Sequence, residues 1–200
     1  MIKDTDEWRI GCRAEGTVTE WLKREGYFVV PTALIERGGA PLLEGLHQAF
    51  VLPDSLTTKA GLSRWVEVKH KERVTYHGQR RQKEHGIDLP VWRSYLAVSR
   101  QSGIPWSLAI EQEHCHLAGV ECVPGLCNSL GIAAGEVLER NAHIWPWPTA
   151  KFPNGGVFFP VRCFEWHDLS PIREPHSGLP PRVIRQWEHK GLGVTQGKLF

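Results

Sequence analysis

"VLPDSLTTKAGLSRWVEVKHKE" (residues 51–72) sets charged side chains into a strand that otherwise reads as buried. Within "WVEV" stand Glu67 and, just after it, Lys69, while Asp54 precedes them behind Pro53. Side chains alternate faces along a strand, so Val66 and Val68 point one way and Trp65, Glu67, Lys69 and Lys71 the other. Glu67 and Lys69 then share a face at roughly 7 Å between Cα atoms. Asp54 lies one short hairpin away, with "TTKAGL" as its turn, close enough in an antiparallel pair to bring its carboxylate beside that of Glu67. Pro53 can introduce a bulge, so strand parity does not orient Asp54.

Upstream, "CRAEGTVTEWLKREGY" reads as a helix: Ala14, Val18, Trp21 and Leu22 form one apolar stripe, Lys23 and Arg24 suit its C-terminal end, and Gly26 stops it. "YFVVPTALIE" reads as a first strand, "HQAFVLPD" as a second and "SRWVEVKHK" as a third. "ERVTYHGQRRQKEHGI" is polar and basic without clear periodicity and reads as a loop with room for a short helical piece. "DLPVWRSYLAVSRQSG" is a second helix, capped by Asp88, with Pro90 in its first turn, Trp92, Tyr95, Leu96 and Ser99 on one face, and Gly103 at its end. "PWSLAIEQEH" is a fourth strand. The expected order is αβββαβ, an α/β core whose central mixed sheet carries helices on its faces. Residues 1–112 hold this core. Residues 113–200 form a C-terminal, β-containing extension packed on it or completing the same domain, with a short helix at 133–140 and a further strand in "GGVFFPVRCFEWHDL".

Two converging carboxylates repel unless a cation lies between them. Mg²⁺ prefers a few carboxylate oxygens, backbone oxygen and water. A metal so held polarises a phosphoryl oxygen and lowers the pKa of bound water. A lysine beside that water can orient it or stabilise developing negative charge. Metal, water and lysine in one spot are the parts for phosphodiester hydrolysis.

Pro53-Asp54, twelve intervening residues, then Glu67-Val68-Lys69 on this αβββαβ order resembles the PD-(D/E)XK nuclease superfamily, which includes restriction enzymes and Holliday-junction resolvases. The resemblance spans roughly residues 10–112. It implies a restriction-endonuclease-like fold and a Mg²⁺- or Mn²⁺-dependent deoxyribonuclease, expected to be an endonuclease. It further implies that Asp54, Glu67 and the carbonyl of Val68 bind metal, that Glu15 on the first helix is an outer or second-metal ligand, and that the chain acts on DNA as a homodimer.

Between residues 71 and 85, Lys71, Arg73, Arg80, Arg81 and Lys83 stand against two glutamates. Their place directly after Lys69 sets them at the mouth of the cleft, where they can hold DNA phosphates, with Gln79 or Gln82 supporting water or substrate. Tyr76 and His77 can stack on a splayed base. His85 is a proton carrier, a phosphate contact or a plain loop residue.

"EHCHLAGVECVPGLC" gathers His114, Cys115, His116, Cys122 and Cys127, but the cysteine gaps are wider than those of zinc knuckles. Buried thiols and surface histidines account for it better, although His143 and Cys163 are available to complete a site. An odd cysteine count, five, with no export signal points to reduced thiols in a cytoplasmic setting. No apolar run is long enough for a membrane span, and a formal net charge of +2 confines any nucleic-acid surface to a local patch. Two rivals to the enzyme remain. One is a nuclease-fold module that binds DNA or protein without turnover; the other is a zinc-stabilised interaction protein with an incidental acidic hairpin.

Overall fold

The apolar stripe of the first helix folds into α1 (Asp6–Arg24), which begins earlier than its periodicity suggests because Thr5 caps it, accepting from the Trp8 N–H at 3.2 Å. The computed structural model describes residues 5–32, 41–45, 48–72, 74–112, 128–169 and 172. Arg73 and the whole run from 113 to 127, with its three cysteines and two histidines, lie outside these residues.

Strands β1 (Phe28–Pro31), β2 (Leu42–Glu44), β3 (Ala49–Val51), β4 (Ser55–Lys59) and β5 (Leu62–Lys71) follow α1. The segment expected as a turn is therefore mostly strand. Thr57 and Thr58 are β-branched, and their hydroxyls reach the Arg64 carbonyl at 3.1 Å and the Ser63 hydroxyl at 2.8 Å across the hairpin. The turn itself is only Ala60 and Gly61, both left-handed at φ 51° and 79°, as a tight two-residue hairpin requires.

The basic stretch expected as a loop is also a hairpin, β6 (Thr75–His77) and β7 (Gln82–Asp88). It had no legible period because its cover comes from far along the chain. Then come α2 (Leu89–Ser102), where Asp88 stands at the expected N-terminal position but its side chain makes no capping hydrogen bond and Gly103 is left-handed at the end, and β8 (Trp106–Gln112). Beyond residue 127 stand β9 (Ser129–Ala134), α3 (Gly135–Asn141), β10 (His143–Trp145), β11 (Gly156–Pro160) and β12 (Glu165–Asp168). "GGVFFPVRCFEWHDL" is thus two strands. Pro160 ends the first, and a 3₁₀ turn, Val161–Cys163, swings the chain from one sheet into another.

The central sheet runs β1-β4-β5-β8-β9-β12, antiparallel except for the parallel pair β5 and β8. A four-stranded antiparallel sheet runs β10-β11-β7-β6, and β2 pairs with β3. The architecture is mixed α/β, a central mixed sheet flanked by helices. Val66 and Val68 pack under α1 with Ala109, Leu130 and Ile132. Trp65, Leu108 and Ile110, on the opposite face, pack with Trp92 and Tyr95 of α2 and with Phe159 of the second sheet. The alternation expected for β5 is the alternation observed. Among the described residues, no helix is long and apolar enough to cross a membrane.

Candidate active site

Ser55 of β4 pairs with Val66 of β5, so the backbone ladder ends one residue after Asp54. The Asp54 side chain extends it: Oδ2 accepts from the Val68 N–H at 2.7 Å. The Asp54 backbone is gripped from the other side, where the Thr32 N–H donates to its carbonyl at 2.8 Å and the Thr32 hydroxyl donates to the Pro53 carbonyl at 2.7 Å. Ladder and Thr32 together fix Asp54 beside the middle of β5.

Glu67 faces α2 and is only 1% exposed, while the Lys69 side chain is half-buried. Lys69 Nζ forms an ion pair with Glu67 Oε1, and Tyr95 on α2 hydrogen-bonds the same carboxylate. Burial, then Glu67, push the Asp54 carboxyl well above its ordinary range, with Glu15 adding to the repulsion while Lys69 and the Val68 N–H oppose it. Burial pulls the Lys69 ammonium down, but Glu67, Asp54 and Glu15 outweigh it and hold the group above the ordinary lysine range. Asp54, Glu67, Lys69 and Glu15, brought from α1, the bend just before β4, and β5, are therefore one electrostatic unit. The acidic neighbours thus favour the protonated form of Lys69.

Tyr95 was legible only as part of the apolar face of α2. A buried tyrosine needs a partner for its hydroxyl, and that partner is Glu67. Lys151, exposed, is a second residue without a sequence signal. With burial as the larger influence, Lys151 and Lys69 lower the Lys71 ammonium to about 8, against Asp88. Lys71 thus lies close enough to both Lys69 and Lys151 to feel their positive charge.

The basic hairpin divides. Gln79, Arg80 and Arg81 are exposed in the turn between β6 and β7, and Lys83 is half-buried. Gln82 is engaged within the protein, donating to Glu84 at 2.5 Å and accepting from Arg162 at 2.8 Å. His85 corrects the expectation of a phosphate contact or proton carrier. It is 1% exposed, packed against Phe164 and Trp166, and lowered to about 3 by burial and by Lys71 and Lys151, so the ring is neutral and out of reach of substrate. Cys163 is a free, half-buried thiol.

No protein-family model and no curated protein matches this sequence. Among solved structures the chain is similar to a Holliday junction resolvase from the archaeal hyperthermophile Archaeoglobus fulgidus. The similarity covers 75% of this chain and 88% of that one, at 14% identity and a TM-score of 0.45. Such identity is too low to carry residue roles across.

Proposed function

We propose that the chain is a divalent-metal-dependent nuclease that hydrolyses DNA phosphodiester bonds. One observation carries the reading: two acidic side chains are forced together beside a half-buried lysine that their charges hold protonated, with Asp54 bonded to the backbone of the strand that bears the other two. A cation fits that arrangement, because the Asp54 carboxyl is half-buried and repelled by both Glu67 and Glu15. Asp54, Glu67 and the Val68 carbonyl would hold Mg²⁺ or Mn²⁺, with Glu15 as an outer ligand. The ion would supply polarisation of the phosphoryl oxygen and a more acidic bound water. Lys69 would orient that water and stabilise the negative charge that develops on the phosphoryl oxygens. Tyr95 holds Glu67 in place from α2. Lys71, Arg80 and Arg81 guide the phosphate backbone, and a homodimer would present two such sites to two strands.

The test is cleavage of labelled linear, circular, single-stranded and four-way-junction DNA with Mg²⁺, Mn²⁺ or chelator. Lys69→Ala should slow metal-dependent cutting by about 10²–10³-fold, the usual cost of losing one charge-stabilising donor, with DNA affinity little changed. Intact DNA binding without cutting by wild type or variant would favour the non-catalytic module.

The hairpin makes a separate expectation. In Arg80→Gln/Arg81→Gln the slope of log affinity against log salt for duplex DNA should flatten by about 0.9 for each phosphate that is no longer neutralised. An unchanged slope would leave this hairpin as a solvated surface.

A further inference from the structure

We propose that His77, Glu84 and His143 form a second metal site, for a transition metal of the zinc class, that ties the β6–β7 hairpin to β10. The three side chains come from β6, β7 and β10, and one ligand atom from each lies within 4.8 Å of the others. The two imidazoles stand edge to face with ring centroids 5.3 Å apart. No local spacing announces the group, since the residues meet only through the four-stranded sheet.

The second observation is what Glu84 lacks. Its side chain is fully buried. Oε1 accepts from Gln82 at 2.5 Å and faces the Arg80 guanidinium at 3.7 Å, but Oε2 has no partner among the described residues. The buried Nδ1 of His143 also has none. A buried carboxylate oxygen left unpaired is costly, and a cation shared with two imidazoles would satisfy it. Two ring nitrogens and one carboxylate oxygen favour zinc-like ions over Mg²⁺, which prefers an all-oxygen shell. Three protein ligands leave the fourth tetrahedral position to water.

Zinc ligands lie about 2.0–2.2 Å from the metal, so the half-buried rings of His77 and His143 must turn inward to close on it. That rotation acts on one hydrogen bond, in which the Arg80 backbone N–H donates to His77 Nδ1 at 3.3 Å. Coordination through Nδ1 displaces it, and coordination through Nε2 puts the ring proton on Nδ1. The bond is long, and therefore weak. The turn that carries Gln79, Arg80 and Arg81 would in this way be anchored at its base by the metal. Such a site would stand whether or not the chain cuts DNA.

The experiment counts metal in the tag-free, full-length chain after chelation and dialysis. Zn²⁺ is added with excess Mg²⁺ present, in an Asp54→Asn background that keeps zinc off the acidic pair. One equivalent should bind. It should be lost in His77→Ala/His143→Ala, and binding should weaken in Glu84→Gln, a near-isosteric change that keeps the test valid if the double variant does not fold. With Co²⁺ as the probe, the spectrum should show ligand-field bands without thiolate charge transfer. No bound zinc, zinc undiminished in Glu84→Gln and the double variant, or a thiolate signature would each overturn the site, the last by placing the metal on cysteine.

Discussion

Asp54→Asn is expected to abolish metal-dependent cleavage while making the metal-free protein more stable at neutral pH. Asparagine keeps an oxygen to accept from the Val68 N–H, so the strand ladder survives. What it removes is a half-buried acid beside Glu67 and Glu15. The Asp54 carboxyl is raised above its ordinary value of 3.8 in the folded chain, so the folded state holds this proton more tightly than the unfolded state does. The resulting stabilisation is complete below 3.8 and is lost as pH rises through the raised folded value. Chelated wild type should therefore lose stability over that window relative to Asp54→Asn, read from denaturant midpoints at a series of pH values. Mg²⁺ should reverse the loss in wild type alone, more strongly at higher pH, because the metal competes with the proton. Cleavage should fall by about 10³-fold or more, the equivalent of several kcal/mol of charge stabilisation. Parallel stability curves for the two proteins would show that Asp54 is not under the strain assigned to it.

That trade between stability and chemistry explains why the acidic strand was legible at all. Sequence reasoning works where local preference and tertiary environment agree, and β5 violates local preference in the middle of an apolar run. Glu67 and Lys69 stood out against Trp65, Val66 and Val68, and parity along the strand assigned the faces that the two cores confirm. The α1 stripe and the Asp88-to-Gly103 frame of α2 were legible for the complementary reason: each element's signal lies within its own few turns.

The four-stranded sheet was hidden because its signal is not local. Residues 82–84 of β7 are polar, and the burial of Glu84 and His85 is supplied by residues some eighty positions later, Arg162 through Gln82 and the rings of Phe164 and Trp166. A polar strand whose partners are that distant has the composition of a loop. His143 likewise stands about sixty positions beyond His77 and Glu84, so no spacing rule could join them. Tyr95 was masked differently: its ring satisfies the apolar period of α2 while its hydroxyl serves the acidic site.

Gly135→Ala should destabilise the protein by about 1–3 kcal/mol, although helix preference alone argues the opposite. Gly135 opens α3, where alanine would ordinarily gain up to about 1 kcal/mol over glycine. A Cβ there would lie 2.1 Å from Nε1 and 2.4 Å from Cδ1 of Trp106. Trp106 is 1% exposed, wedged against Trp92 at 5.3 Å and Tyr95 at 5.7 Å between ring centroids, so the indole has little room to retreat. Overpacking of this kind costs about 1–3 kcal/mol and sometimes more, which exceeds the helix gain. The strain should pass through the Trp106–Tyr95 contact to the hydrogen bond on Glu67, so cleavage by the folded fraction should also drop. Adding Trp106→Leu should recover part of the stability, because the indole that clashes is gone, and a double-mutant cycle would show the coupling. Stability of Gly135→Ala equal to wild type would mean that the packing between α3, β8 and α2 is looser than these distances require.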